Sequence, residues 1–146
     1  MMPLQNTATK VMIAAISKSS GATATGYVDT RGWDEVAVDI QMDSQASTTS
    51  NPSLLSLTES EDTVVSNASA ISAFTGDATN GFTVGPADSV LPYITRLNVD
   101  LRGRKRYLHL TINPTGTTGI VSAHAVLGKA GDSTISRAAI KQVVDG

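Results

Sequence analysis

The stretch that decides the fold of this chain is residues 96–112, RLNVDLRGRKRYLHLTI. Every second side chain is apolar on both sides of Gly103, a two-residue period that is typical of strands with one buried face. The short connection between the two runs contains glycine, so the pattern predicts a β-hairpin. The predicted inward side chains are Leu97, Val99, Leu101, Leu108, Leu110 and Ile112.

The same alternation continues outward from this stretch. Residues 36–42 place Val36, Val38, Ile40 and Met42 on one face. Residues 120–127 are almost wholly apolar, which predicts a strand packed on both faces. About eight short strands separated by turns predict an all-β fold, a single-domain antiparallel β-sandwich that is jelly-roll-like. Weaker strand patterns cover residues 10–17, 24–29, 54–59, 63–66 and 81–84.

No shift in composition marks a second domain. We predict one sandwich domain over residues 10–131, an N-terminal arm over 1–9 and a C-terminal arm or short helix over 132–146. The helix would align Ile135, Ala138, Ala139 and Val143, whereas an extended arm would use Ile140 and Val144. Turn-forming and hydroxyl side chains predict loops over residues 43–53, 75–80 and 85–92.

Composition excludes several classes of protein. The 146 residues include no cysteine, which removes disulfides, thiolate catalysis and iron–sulfur clusters. Ser and Thr number 34, charged residues are 16% and the net charge is -2, so no global field favours nucleic acid or an anionic membrane. The apolar run at 11–16 is shorter than the roughly 20 residues of a membrane span, and no signal-peptide pattern precedes it. We expect an unexported protein that contacts neither membrane nor nucleic acid directly.

The sequence contains little that supports catalysis. His109 and His124 would bind a metal together with a carboxylate if their strands were adjacent, although ordinary strand positions explain both. The acidic run at 59–62, ESED, lacks the spacing of a calcium loop and is typical of a solvated strand end. No serine lies in a nucleophile elbow, and there is no phosphate-binding or dinucleotide fingerprint. We predict that the protein is not an enzyme and has no metal or cofactor.

Positive charge is concentrated at one place. Five of the eleven basic residues fall within 96–106, and four of them surround the predicted hairpin turn. Arginine forks bind carboxylate or phosphate, so this cluster predicts a protein interface, with a solvated hairpin tip as the alternative. Trp33 lies in a turn before the strand at 36–42 and would either anchor an interface or pack the end of the sandwich. The predicted interface residues are Arg102, Arg104, Lys105, Arg106, Trp33 and Tyr107.

Short motifs in residues 27–128 resemble a known family. They are YVDTRGWDEV at 27–36, LTESED at 57–62, RKRYLHLTI at 104–112 and VLG at 126–128. The set resembles the head decoration, or capsid cement, proteins of tailed bacteriophages. The resemblance implies a jelly-roll-like structural protein of the virion, made in the host cytoplasm, that sits as a homotrimer on the outer surface of an icosahedral capsid and bridges major capsid protein subunits. A carbohydrate- or receptor-binding β-sandwich of the virion surface or tail is the alternative function.

Overall fold

The computed structural model of the chain describes residues 7–18, 22–42, 54–76, 93–113, 119–129 and 142–145. One 3₁₀ turn, Val65–Asn67, lies between two of the strands in these ranges. The strands are β1 (Thr7–Lys18), β2 (Ala24–Asp29), β3 (Glu35–Met42), β4 (Leu54–Ser60), β5 (Ser69–Gly76), β6 (Tyr93–Asp100), β7 (Tyr107–Asn113), β8 (Gly119–Gly128) and β9 (Gln142–Asp145).

The strands form two sheets with a nested order. One sheet has the order β1-β8-β3-β6-β9 and the other has the order β2-β7-β4-β5. The first strand pairs with the eighth, the second with the seventh, the third with the sixth and the fourth with the fifth, all antiparallel. This nesting, with β8 beside β3 and β7 beside β4, is the jelly roll. The predicted all-β sandwich is therefore confirmed, and β9 adds one parallel strand beside β6.

The core lies between the two sheets, as the alternation predicts. Val36, Val38, Ile40 and Met42 of β3 are at most 1% exposed. Phe74 of β5 is fully buried and is the largest such side chain. The remaining core side chains include Leu97, Val99, Leu108, Leu110, Ile112, Val121, Ala123, Ala125 and Leu127.

The predicted hairpin at 96–112 is wrong. Its two strands, β6 and β7, belong to different sheets, and residues 101–106 cross from one sheet to the other. Leu101 is buried, and its amide donates to the Asp34 carbonyl at 2.9 Å rather than continuing a pairing with β7. Alternation shows which side of a strand is buried, and that side is the same whether two strands are neighbours or face each other about 10 Å apart.

Three other strand predictions differ from the structure. The strand at 120–127 is β8, but it buries one face, because Ile120 is 50% exposed and Val126 is half-buried. The strand at 63–66 is wrong. There the Asp62 carboxylate accepts bonds from the Val64 amide and the Asn67 side chain and stabilises the 3₁₀ turn. The strand at 81–84 lies outside the described residues.

Strand β5 is absent from the sequence predictions. Its buried side chains, Ile71 and Phe74, are three residues apart, a spacing that does not resemble a strand. The pairing of β4 with β5 shifts register between Ser56 and Thr58, and such an irregularity breaks the two-residue period. Residues 75 and 76, predicted to begin a loop, instead end this strand. The rest of that loop, at 77–80, and the loops at 43–53 and 85–92 lie outside the described residues.

The division into a sandwich at 10–131 and two arms stays a prediction. Strand β1 begins at Thr7, three residues before the predicted start of the sandwich. Val143 lies in strand β9, so it does not belong to the suggested helical face, and residues 132–141 lie outside the described ranges.

Candidate functional site

The predicted interface residues gather at one end of the sandwich. Nesting brings the connections β2–β3, β4–β5 and β6–β7 to the same end, and main-chain bonds join two of them. The amide of Thr30 donates to the Arg106 carbonyl at 3.0 Å, and its hydroxyl donates to the same oxygen at 2.7 Å. The amide of Asp34 donates to the Gly128 carbonyl at 3.1 Å. We call residues 29–34, 59, 100–107 and 128–129 the Trp33 end.

Two arginines of the Trp33 end bind aspartates of their own chain. Arg106 Nε and Nη2 donate to Asp29 Oδ1 and Oδ2 at 3.1 and 2.7 Å. Arg102 Nε lies 2.9 Å from Asp100 Oδ1, and Arg102 Nη2 donates to Asp100 Oδ2. The arginine hydrogen bonds are the main reason that the pKa of Asp29 and the pKa of Asp100 are each lowered to about 2. Both carboxylates are therefore ionised at neutral pH and offset the positive charge beside them.

Glu59 lies beside the middle of the basic cluster. Its Oε2 accepts a bond from the Lys105 amide at 3.1 Å, and its Oε1 lies 3.7 Å from Arg104 Nη1. Lys105 Nζ donates to the Ser69 hydroxyl at 2.8 Å. The concentrated positive spot expected from the sequence is thus largely neutralised within the chain. Of the four cations at 102–106, Arg102 is the most open to solvent, with 81% of its side chain exposed, against 29% for Arg104 and 38% for Arg106.

Trp33 packs the end of the sandwich. It follows a turn in which its amide donates to the Thr30 carbonyl at 3.1 Å. Gly32 in that turn has a φ of 84°, which glycine adopts without strain. The indole is partly buried against the hydrophobic core, and the Lys129 ammonium lies 5.6 Å from a ring centroid. The packing role is therefore present in the structure, and the role of Trp33 as an interface anchor stays a prediction.

Tyr107 connects the Trp33 end to the outer face of the four-stranded sheet. The Arg106 guanidinium carbon lies 4.8 Å from the centroid of its ring. The ring of Tyr27, on the neighbouring strand β2, meets the Tyr107 ring edge-on with centroids 6.1 Å apart. Tyr107 is half-buried, so part of its ring remains available to a partner.

The two histidines do not meet. His109 lies in β7 of the four-stranded sheet and His124 in β8 of the five-stranded sheet. The expectation that the two histidines could be neighbours across one sheet is therefore wrong, because strand pairing is set by the chain as a whole. In the part of the chain that the structure describes, no group of three or more His, Asp or Glu side chains is placed to hold a metal ion.

His109 instead forms a buried contact with Ser60 that the sequence analysis missed. Both side chains are at most 2% exposed. His109 Nε2 lies 2.8 Å from Ser60 Oγ and 3.1 Å from the Asp62 carbonyl oxygen, and Ser60 Oγ donates to the same carbonyl. The carbonyl only accepts hydrogen bonds, so both contacts of Nε2 are satisfied in the tautomer that has a proton on Nε2 and a serine that donates away from the histidine.

This geometry is unsuited to nucleophilic catalysis. A histidine that activates serine must accept the serine proton at the nitrogen facing the hydroxyl. Ser60 is only 1% exposed, and in the tautomer that satisfies both contacts Nε2 already carries a proton. The Ser60–His109 pair therefore holds residues 60–62 against the outer face of β7. The sequence signal was weak, because a buried histidine on an outward strand position looks like an ordinary polar residue.

A buried ion pair on the five-stranded sheet was also missed. Asp39 of β3 lies directly opposite Arg96 of β6 and His124 of β8. Arg96 Nε and Nη2 donate to Asp39 Oδ1 and Oδ2 at 2.5 and 2.6 Å. His124 Nε2 lies 3.5 Å from Asp39 Oδ2. Less than a tenth of either the Asp39 or the Arg96 side chain is exposed, so this pair stabilises the centre of the sheet and is not offered to a partner.

Helices long and apolar enough to cross a bilayer are absent from the described ranges.

Comparison with known proteins places the chain by its fold. No protein-family model and no curated protein sequence matches it. The structure is similar to that of the infectious bursal disease virus Gx strain, with a TM-score of 0.51 and 10% identity over 86% of this chain and 32% of that chain. The crystal structure of the infectious bursal disease virus VP2 subviral particle matches with a TM-score of 0.45 and 11% identity, over 86% of this chain and 34% of that chain. This chain spans about a third of the length of those chains. Its likeness to the Gx strain structure is one of fold.

Proposed function

We propose that this chain is a structural protein of the virion that decorates an icosahedral phage capsid from outside. In this role it bridges major capsid protein subunits as a homotrimer and stabilises the assembled shell. The observation that carries the proposal is the complete jelly roll, in which all eight strands β1 to β8 follow the nested order. That architecture recurs in viral capsid and lectin domains.

Two further observations support a structural role over a catalytic one. The fold matches a virus particle protein over 86% of this chain. The one serine–histidine contact among the described residues is buried, with Ser60 1% and His109 2% exposed, so a substrate does not reach it. A protein that binds only the assembled shell stabilises it by mass action, and this requires a stiff scaffold rather than a reactive site.

The Trp33 end is the surface we assign to the shell or to a sister subunit. It combines a partly buried indole, the half-buried ring of Tyr107 and the exposed guanidinium of Arg102. Aromatic residues and arginine dominate the binding energy of protein interfaces. Because Arg104 and Arg106 already have carboxylate partners, Arg102 is the residue best able to exchange its exposed partner for one on another subunit. Within the arms predicted at 1–9 and 132–146, residues 7–9 and 142–145 pair with β8 and β6 of the same chain. The remaining arm residues are proposed to reach neighbouring subunits.

The proposal is tested by mixing the purified chain with phage shells that lack it. We expect binding in a fixed ratio to the capsid protein, density at threefold-related positions in electron cryomicroscopy and a higher disruption temperature of the shell. Mass photometry of the free protein tests the trimer. Shells that bind no protein in low-salt buffer would rule out the decoration role.

A matched pair of variants tests the Trp33 end. Arg102→Ser removes the exposed charge, whereas Arg102→Lys retains it. We expect the serine variant to occupy fewer sites as salt is raised and the lysine variant to remain closer to the original protein. Equal occupancy of both variants at every salt concentration would place the shell contact elsewhere on the subunit.

A further inference from the structure

A groove on the outer face of the four-stranded sheet is separate from the Trp33 end. It has a volume of about 580 Å³, within the range of about 300–1,000 Å³ that is usual for small-ligand sites. Strand β1 forms one wall and the segment after β4 forms the other, while β2 and β7 supply the floor. The lining residues are Val11, Met12, Thr25, Gly26, Tyr27, Thr63, Val65 and His109.

The groove exposes apolar surface that the fold does not cover. Val11 is 70% exposed, Tyr27 is 49% exposed and Val65 is 45% exposed. These three make up half of the six large hydrophobic side chains that the structure leaves exposed. Their collection around one depression indicates a binding surface, since scattered exposed hydrophobic residues are ordinary but a cluster is not.

Two hydroxyl groups of the groove are available to a ligand. The hydroxyls of Thr25 and Thr63 make no hydrogen bond within the part of the chain that the structure describes. His109 also borders the groove, but it is only 2% exposed and its Nε2 contacts Ser60 and Asp62. The lining therefore offers two hydroxyls that donate or accept hydrogen bonds.

The lining also excludes charged ligands. None of its eight residues is Asp, Glu, Lys or Arg. The nearby Asp62 carboxylate already accepts bonds from the Val64 amide and from Asn67. A charged ligand would lose its hydration in this groove without gaining an opposite charge. The ligand that fits is uncharged, has an apolar face to lie on Tyr27 and the valines, and carries several hydroxyl groups.

We propose that this groove binds a neutral sugar unit of a glycan, with Tyr27 as the stacking platform and the hydroxyls of Thr25 and Thr63 as its hydrogen-bonding partners. A pyranose ring has the required chemistry, because its C–H groups form an apolar face and its hydroxyls lie around the rim. The groove and the Trp33 end share no residue, but the Tyr27 ring meets the Tyr107 ring edge-on, so shell binding is measured separately for each groove variant.

The test uses an array of neutral oligosaccharides built from galactose, glucose or mannose, with sialylated versions of the same cores for comparison. We expect binding to at least one neutral class and weaker binding to its sialylated counterpart. Isothermal titration with the selected oligosaccharide should show that Tyr27→Ala weakens binding about tenfold, equivalent to about 1.4 kcal/mol. Val65→Glu and Val11→Glu, both at exposed wall positions, should abolish detectable binding without unfolding the protein.

The matched control is Ile120→Ala, at an exposed hydrophobic residue outside the groove, which should bind sugar as the original protein does. An array that retains no neutral oligosaccharide would overturn the proposal. So would sugar binding that survives Tyr27→Ala and both glutamate variants, because the site would then lie elsewhere. If no sugar binds, but a hydrophobic dye binds the original protein and does not bind Val65→Glu, the groove takes an apolar ligand and the sugar proposal is wrong. Shell binding by the same variants is scored separately, so a failure of the glycan site leaves the proposed decoration role unaffected.

Discussion

Replacing Asp39 by asparagine should destabilise the protein more than replacing any other aspartate that pairs with arginine in the described residues. The side chain is 8% exposed, and both of its oxygens accept from Arg96 at 2.5 and 2.6 Å. Asn retains the shape of the side chain but removes the negative charge that Asp39 places beside the buried guanidinium. Removal of one partner from a buried pair costs about 3–5 kcal/mol. For a chain of this length, each kcal/mol lowers the melting temperature by about 2–4 °C, so we expect a decrease of about 10 °C or more.

The chain contains two controls with the same chemistry and less burial. Asp100 pairs with Arg102, whose side chain is 81% exposed, and Asp100→Asn should leave stability unchanged within the error of the measurement, because water solvates both charges. Asp29 is intermediate, with a third of its side chain exposed. The lowered pKa of Asp29 reflects its interaction with Arg106, and solvent screening weakens that interaction. Asp29→Asn should therefore lower the free energy of unfolding by about 1 kcal/mol.

Equilibrium unfolding in urea, followed by circular dichroism, gives the free energy of unfolding for each variant. The double variant Asp39→Leu with Arg96→Met replaces the pair by apolar side chains and should recover much of the loss, as apolar replacements of buried pairs do elsewhere. If Asp39→Asn is no more destabilising than Asp100→Asn, burial does not control the strength of these pairs and the reasoning is refuted.

Two further predictions concern the close approach of Gly26 to Met12 and the Asp29–Arg106 ion pair. A Cβ at Gly26 would lie 2.0 Å from the Met12 carbonyl oxygen, so Gly26→Ala must displace backbone and should lower the free energy of unfolding by about 3 kcal/mol or more. At Gly32 an added Cβ would have no atom within 4 Å, but φ is 84°, so Gly32→Ala should lower the free energy of unfolding in urea by only about 1 kcal/mol. Equal losses for the two variants would contradict the close approach of Gly26 to Met12. Acid should weaken the Asp29–Arg106 pair, since the pKa of Asp29 is lowered from 3.8 to about 2. The contribution of this ion pair to the free energy of unfolding is complete above about pH 4 and is lost as the pH falls to about 2. Asp29→Asn should therefore flatten stability across that interval in urea unfolding at several pH values, and an unchanged slope would show that other carboxylates control it.

Much of the fold was predictable because strand alternation is local. Each of β3, β6 and β7 is amphipathic within seven or eight residues, and the side chains predicted to point inward are all buried. The missed strand β5 shows the limit of this signal. Its two core side chains, Ile71 and Phe74, are three residues apart next to a register shift, so the local pattern indicates no strand.

The candidate site was predicted as a set of residues but not as an arrangement. Sequence identified Trp33 and the cations at 102–106 as notable, and the jelly-roll nesting brings the two segments to the same end of the sandwich. The sequence could not show that Asp29 and Glu59 neutralise most of that charge. Asp29 is 77 residues from Arg106 along the chain, and Glu59 is 46 residues from Lys105.

The amino-acid sequence alone determined the β class, the core-facing side of β3, β6 and β7 and the absence of cysteine chemistry. These properties depend on side-chain type and on spacing over a few residues. Only the tertiary structure decided that β6 and β7 lie in opposite sheets, that Asp39 meets Arg96 and that His109 contacts Ser60. Such contacts depend on which strands become neighbours, and that choice minimises the free energy of the whole chain rather than of any segment.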